Sequence, residues 1–151
     1  MWSLKNYKLC FDLRGLALFL VIMLPNFVWF ALPAPNDVLR CASVTPTVDF
    51  AAQVFQITIV AALCAVVNVT RDEPIKRGYL ASVAACVGLY LAGWAVYYAG
   101  IANTVVILDL CLAPCGAFLL FALARKNGIA LISAGAFTVC HLIFAVANFL
   151  I

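Results

Sequence analysis

Residues 105–124 read VVILDLCLAPCGAFLLFALA, and Arg125 and Lys126 follow at once. Within this run Asp109 is the one charged residue. Coiled as an α-helix at about 1.5 Å per residue, the run measures about 30 Å, the thickness of a bilayer's hydrocarbon core. It does not alternate between polar and apolar residues as a barrel strand must. Four further runs of the same kind occupy residues 15–32, 50–69, 79–100 and 129–151. The predicted fold class is therefore all-α: a polytopic integral membrane protein, built as a compact bundle of five transmembrane helices in one domain over residues 1–151.

Composition points the same way. Hydrophobic residues make up 68% of the chain and charged residues 10%, against about 45–50% and about 25% in ordinary globular domains. A soluble fold of this size cannot hide so much apolar surface, whereas lipid can cover it. The net charge is only +3, and the basic residues flank apolar runs instead of forming one exposed patch. A nucleic-acid partner is accordingly not expected; the lipid bilayer is.

The placement of Lys and Arg predicts orientation. Lys5, Lys8 and Arg14 precede the first run; Arg71, Lys76 and Arg77 follow the second; Arg125 and Lys126 follow the fourth. These three regions lie on one side of a five-span chain, and the other side has only Arg40. Basic residues stay cytoplasmic, so the N-terminus is expected in the cytoplasm and the C-terminus outside, in a multi-pass protein of the bacterial cell (plasma) membrane. The first run is longer than a usual signal-peptide core and is followed by Pro33 and Pro35, so it is expected to remain as an anchor.

Aromatic residues mark the expected boundaries. Trp29 and Phe30 close the first run, Tyr79 opens the third, and Tyr97 and Tyr98 close it, in keeping with the preference of amphipathic rings for headgroup depth. The longest loop, residues 33–49, lies on the predicted outer side. Asn36 can cap a short helix over residues 37–42, and Pro46 suits the first position of the second helix. The loop reads either as a solvated connector or as a lid over an outer pocket. Asn68-Val69-Thr70 matches a glycosylation sequon but falls on the predicted cytoplasmic side, where it carries no weight.

The third run carries a stripe of small residues: Ala81, Ala85, Gly88, Ala92, Ala95 and Ala99 recur at spacings of four and three. Small residues let helix backbones approach closely in lipid. The stripe predicts a central or dimer-forming third helix, contacting a second copy or a partner membrane protein, with Trp94, Tyr97 and Tyr98 turned outward.

Polar residues within spans are costly and usually face protein or water. Asn26, Gln53, Gln56, Asp109 and Asn148 fall in the predicted outer half, with His141 near mid-membrane. The half towards the N-terminus holds only Thr58, Ser82, Ser133 and Thr138, with Asn68 at its boundary. These depths predict a polar cavity open to the outside, with Asn26, Gln53, Gln56, Asp109, His141 and Asn148 as its ligand-binding residues. A permanent ion pore would need polar lining along its whole length. Pro25 and Pro114 are expected to kink their helices.

Other chemistries find little support. The chain has seven cysteines, of which only Cys41 sits in an outer loop, so no disulfide framework is expected. Cys111 and Cys115, with Cys140 beside His141, suggest a metal, but Asp109 lies about 200° around the helix from Cys111. No two-histidine pair or C-x-x-C motif is present. No metal, cofactor or catalytic residue is expected, and no G-x-S-x-G, H-E-x-x-H or phosphate-binding loop occurs. An odd span number excludes a simple inverted repeat. The leading expectation is a small membrane protein binding or transporting a small polar solute. The alternatives are a non-catalytic subunit, sensor or assembly factor packing through the small-residue stripe, and an intramembrane enzyme using Asp109 and His141.

Overall fold

The structure is a computed structural model and describes residues 6–69 and 74–150. Lys5, Arg71, the Thr70 end of the sequon and Ile151 lie outside the described residues. Five helices carry the fold: α1 (Leu13–Ala31), α2 (Pro46–Ala65), α3 (Arg77–Tyr98), α4 (Thr104–Ala124) and α5 (Gly128–Phe149). Each is long and apolar enough to cross a membrane.

Local chemistry sets the helix starts. The Asp12 carboxylate accepts the Arg14 N–H at 3.0 Å and opens α1, Asn103 does the same for Val106 at 3.0 Å in α4, and Asn127 for Ala130 at 3.1 Å in α5. Each satisfies a backbone donor that the first helical turn leaves without an intrahelical partner. Pro46, which needs no such partner, takes the first position of α2.

The second helix sits four residues earlier than the apolar run suggests, and residues 66–68 leave it to form a strand. This strand, β2 (Val66–Asn68), pairs antiparallel with β1 (Tyr7–Leu9), Tyr7 opposite Asn68 and Leu9 opposite Val66. Hydropathy reads Val66 and Val67 as more membrane helix. As β-branched residues beside a free strand, they pair instead.

The expected central helix is displaced by one. α4, not α3, lies in the middle, packed against both α3 and α5, while α2 packs on α5 and α1, and α1 touches α3. The most apolar stretch of α4 is 56% buried, against 22% for α3. Ala113, Cys115, Ala117 and Ala122 are all buried, so α4 carries small side chains around its circumference and accepts neighbours on two sides.

The faces of α3 are also reversed. Tyr90, Trp94 and Tyr97 are buried, and Ala81, Ala85, Gly88, Ala92, Ala95 and Ala99 are exposed. The physical reason is hydrogen bonding. An alanine methyl loses nothing in apolar surroundings, whereas inside the bundle the Tyr90 hydroxyl meets Asn26 and the Tyr97 hydroxyl meets Asp37. The stripe therefore lies on the exposed side of α3 among the described residues.

The two ends of the bundle differ. At the ribbon end, Arg125 is buried and pairs with Asp12, its Nε donating to Oδ2 at 3.1 Å and its Nη2 to the same oxygen. Asn127 donates to Ala62 O at 2.9 Å and Val66 O at 2.8 Å. The Tyr7 hydroxyl accepts the Gly128 N–H at 2.8 Å, and Asn68 donates to Lys126 O at 3.0 Å. Arg125 thus serves as an internal brace as well as a flanking charge. Gly15 lies so close to Leu63 that an added Cβ would collide with the Leu63 carbonyl.

Candidate functional site

A cavity of about 360 Å³ lies in the half of the bundle remote from the ribbon. All five helices contribute to its wall. Ile22, Phe118 and Phe137 line it deepest towards the ribbon end, and Leu39 reaches it from the loop between α1 and α2. Its volume falls within the range of about 300–1,000 Å³ typical of small-molecule sites.

The wall is aromatic. Trp94 sits at the centre of one cluster, with Tyr90 edge-on at 6.3 Å, Tyr97 edge-on at 5.7 Å and Trp29 tilted at 6.4 Å. On α5, His141 stacks against Phe137 at 4.9 Å and Phe144 at 6.1 Å. Both clusters follow from helix geometry, since residues 90, 94 and 97, like residues 137, 141 and 144, are spaced four and three apart and share a face.

Three of the six residues expected to line the cavity do so: Asn26, Gln56 and His141. Asn26 Nδ2 donates to Ile22 O at 3.1 Å, one turn back, and to the Tyr90 hydroxyl at 2.6 Å. Gln56 Nε2 lies 3.7 Å from the Met23 sulfur. The other three lie elsewhere. Gln53 is exposed. Asn148 accepts the Val44 N–H at 2.8 Å and donates to the Thr45 hydroxyl at 3.0 Å, tying the loop to α5. Asp109 faces α3, where its carboxylate fills the space a side chain on Gly93 would need. The expected polar cavity is thus a largely apolar one, because Gln53, Asp109 and Asn148 do not line it. Asp109 and His141 stand on different surfaces, and among the described residues the wall carries no Asp, Glu, Lys or Arg.

The loop between α1 and α2 is tightly built and reaches the cavity through Leu39. A single turn of 3-10 helix, Val38–Arg40, replaces the longer helix expected over residues 37–42. Asp37 organises it by accepting from Trp29 Nε1 at 2.8 Å, the Tyr97 hydroxyl at 2.9 Å, the Ala34 N–H at 3.2 Å and Arg40 Nε at 2.6 Å. The Tyr97 hydroxyl in turn accepts the Leu39 N–H at 3.1 Å. Arg40 lies over the Trp29 ring at 4.8 Å and donates to Trp29 O. Asn36 donates to Gly100 O at 2.7 Å, and Tyr98 to Leu32 O at 2.7 Å. Burial would raise the Asp37 carboxyl, but the donors Trp29, Tyr97, Arg40 and Ala34 outweigh it and hold the group below the ordinary carboxylate range.

Sequence reasoning placed Trp29 and Tyr97 at the headgroups and did not assign Asp37, Tyr90 or Trp94 to a site. The available signal was the spacing of Tyr90, Trp94 and Tyr97, which marks one aromatic face. Among the described residues no group of three or more His, Cys, Asp or Glu is placed to hold a metal.

A scan of family models and searches of curated proteins and solved structures find no match to this chain. The functional reading accordingly rests on the cavity and its lid.

Proposed function

We propose that this chain is a five-span membrane protein that binds a small, mostly apolar molecule in the aromatic cavity beneath the Asp37 lid. In this reading the N-terminus is cytoplasmic, and the lid and C-terminus face outside. The observation that carries it is the cavity itself: about 360 Å³, walled by aromatic rings, with Asn26, Gln56 and His141 as its few polar side chains. Apolar walls with a few placed polar groups are the usual make-up of a ligand site. An uncharged, aromatic wall favours an apolar ligand over the polar solute suggested by residue depths alone. The braced ribbon end supports binding over free passage through the bundle.

The test uses α-methylstyrene as a small apolar probe, with binding to protein in lipid nanodiscs measured against empty nanodiscs by equilibrium dialysis. Saturable excess binding is expected, and Ala145→Trp should abolish it, because Ala145 is buried on the cavity wall. Binding unaffected by Ala145→Trp would place the probe elsewhere. Orientation is tested separately. Cys41 is the one exposed cysteine among the described residues, so a membrane-impermeant maleimide should label it in intact cells. Labelling only after the membrane is opened would reverse the orientation.

A second reading rests on the exposed stripe of α3. Ala81, Ala85, Gly88, Ala92, Ala95 and Ala99 present a continuous small-residue face to the surroundings, of the kind that packs helices together in lipid. On that reading the protein is a non-catalytic subunit. Gly88→Leu should then dissociate a copurifying membrane partner or a second copy, while leaving probe binding intact.

A further inference from the structure

We infer that residues 8–14, at the ribbon end, form a docking surface for anionic lipid headgroups, with Leu9, Phe11 and Leu13 dipped into the acyl boundary and Lys8 and Arg14 meeting the phosphates. This goes beyond the cavity and rests only on the five-span reading.

The side chains of this segment alternate in burial. Leu9, Phe11 and Leu13 are 87%, 61% and 68% exposed, whereas Cys10 is half-buried and Asp12 is buried. Extended backbone gives this pattern when one side rests on a neighbour. The neighbour is α2: the Cys10 N–H donates to Ala65 O at 3.0 Å and the Asp12 N–H to Cys64 O at 2.8 Å. The segment therefore runs beside the last turn of α2 and leads straight into α1. Both helices are long and apolar enough to cross a membrane, so their shared end is the level at which they leave the apolar layer.

Neither water nor hydrocarbon suits this segment. In water, three large apolar side chains stay uncovered, against the hydrophobic effect. In hydrocarbon, the two-stranded ribbon has outer edges whose backbone polar groups need partners that lipid tails do not offer. The boundary layer meets both demands. It takes apolar side chains to a depth of about 5–10 Å, and long basic side chains reach from there to the headgroups.

Charge selects the headgroup. Lys8 and Arg14 bracket the apolar triplet and are exposed. Asp12, the acidic residue between them, is committed to Arg125. The segment's outward charge is thus two cations, each expected to strengthen attraction to an anionic surface by about fivefold. The apolar side chains between them favour a phosphate that carries acyl chains over the free ion.

The test titrates the purified protein in detergent with dioleoylphosphatidylglycerol or dioleoylphosphatidylcholine and counts bound lipids by native mass spectrometry. Wild-type protein should bind the anionic lipid about fivefold more tightly or better. Lys8→Gln/Arg14→Gln should cut that preference below about twofold. Lys76→Gln/Arg77→Gln removes equal charge at the same end and should leave most of it. All four residues are exposed, so neither variant opens the core. Leu9→Ser/Phe11→Ser should weaken both lipids, and inorganic phosphate in large excess should displace neither. Equal loss from the two charge pairs would assign the preference to the whole basic end and overturn the inference. So would equal binding of the two lipids, displacement by phosphate, or lipid binding untouched by Leu9→Ser/Phe11→Ser. A dimer in the same spectra that Leu9→Ser/Phe11→Ser dissociates would make a second copy the occupant in place of lipid. Binding of neither lipid would overturn the five-span reading and this inference with it.

Discussion

The two ends of this bundle are built from similar parts and put them to different use. Each has one acidic residue paired with one arginine and backed by asparagine and tyrosine hydrogen bonds. At the ribbon end the pair, Asp12 and Arg125, is buried and joins segments 113 residues apart, and the space around it is nearly filled. At the lid end the pair, Asp37 and Arg40, lies within one turn of loop, with the Arg40 side chain 40% exposed. Beneath it the helices part to leave the cavity. The comparison teaches that a charge pair fixes what it spans: the long-range pair locks helices together, and the local pair shapes a cover.

The largest expected effect breaks the ribbon end. Arg125→Ala strands a buried carboxylate and should cost about 3–5 kcal/mol, read as loss of reversible unfolding stability in detergent. A cost below about 1 kcal/mol, the worth of an exposed pair, would erase the distinction between the two ends. Next come two glycines. Gly15→Ala drives a methyl into the Leu63 backbone and should cost about 1–3 kcal/mol. Gly93→Ala meets the movable Asp109 side chain, and its cost should be visibly smaller in the same assay. If the two costs are equal, the half of the bundle holding the cavity is as rigid as the braced half.

Asp37→Asn should act locally. It removes the charge that gathers Trp29, Tyr97, Arg40 and Ala34, at a cost of about 1–2 kcal/mol. The expected signature is faster amide exchange at Ala34 and Leu39, with α4 unchanged. The smallest effect is the response to acid. Because Asp37 is held below its ordinary carboxylate range, its contribution is complete above the unfolded-state value of about 3.9 and is lost as pH falls through the lower folded value. Protection of Ala34 and Leu39, corrected for intrinsic exchange, should thus hold from about pH 7 to pH 5 and fail only below about pH 4. Failure near neutrality would mean that another group controls the lid.

The five helices were legible because run length and hydropathy measure what a bilayer demands. The caps at Asn103 and Asn127 and the start at Pro46 obey rules readable from residue type. What sequence hid was direction around each helix. In a soluble helix apolar residues point inward, but where lipid covers the outside that rule disappears. The sorting then falls to hydrogen-bonding atoms, and Tyr90 and Tyr97 of α3 turn inward to Asn26 and Asp37. Depth along a helix was easier than azimuth. Asn26, Gln56 and His141 reach the cavity, whereas Gln53 and Asp109, at similar depths, point away. The β1–β2 ribbon and the pairing of Asp12 with Arg125 were hidden for another reason, since both depend on contacts between distant parts of the chain.

The reach of the Asp12–Arg125 pair also sets a clock. Asp12 is made early, and its partner follows 113 residues later. At synthesis rates of about 5–20 residues per second the wait is on the order of ten seconds. Tyr7 waits longer still for Gly128, 121 residues away. During that interval α1, α2 and α3 exist without the helix that forms their middle. The ribbon end is thus a closing clasp that fastens only when α4 has arrived, and a chain stopped before Arg125 would leave the Asp12 carboxylate without its guanidinium partner.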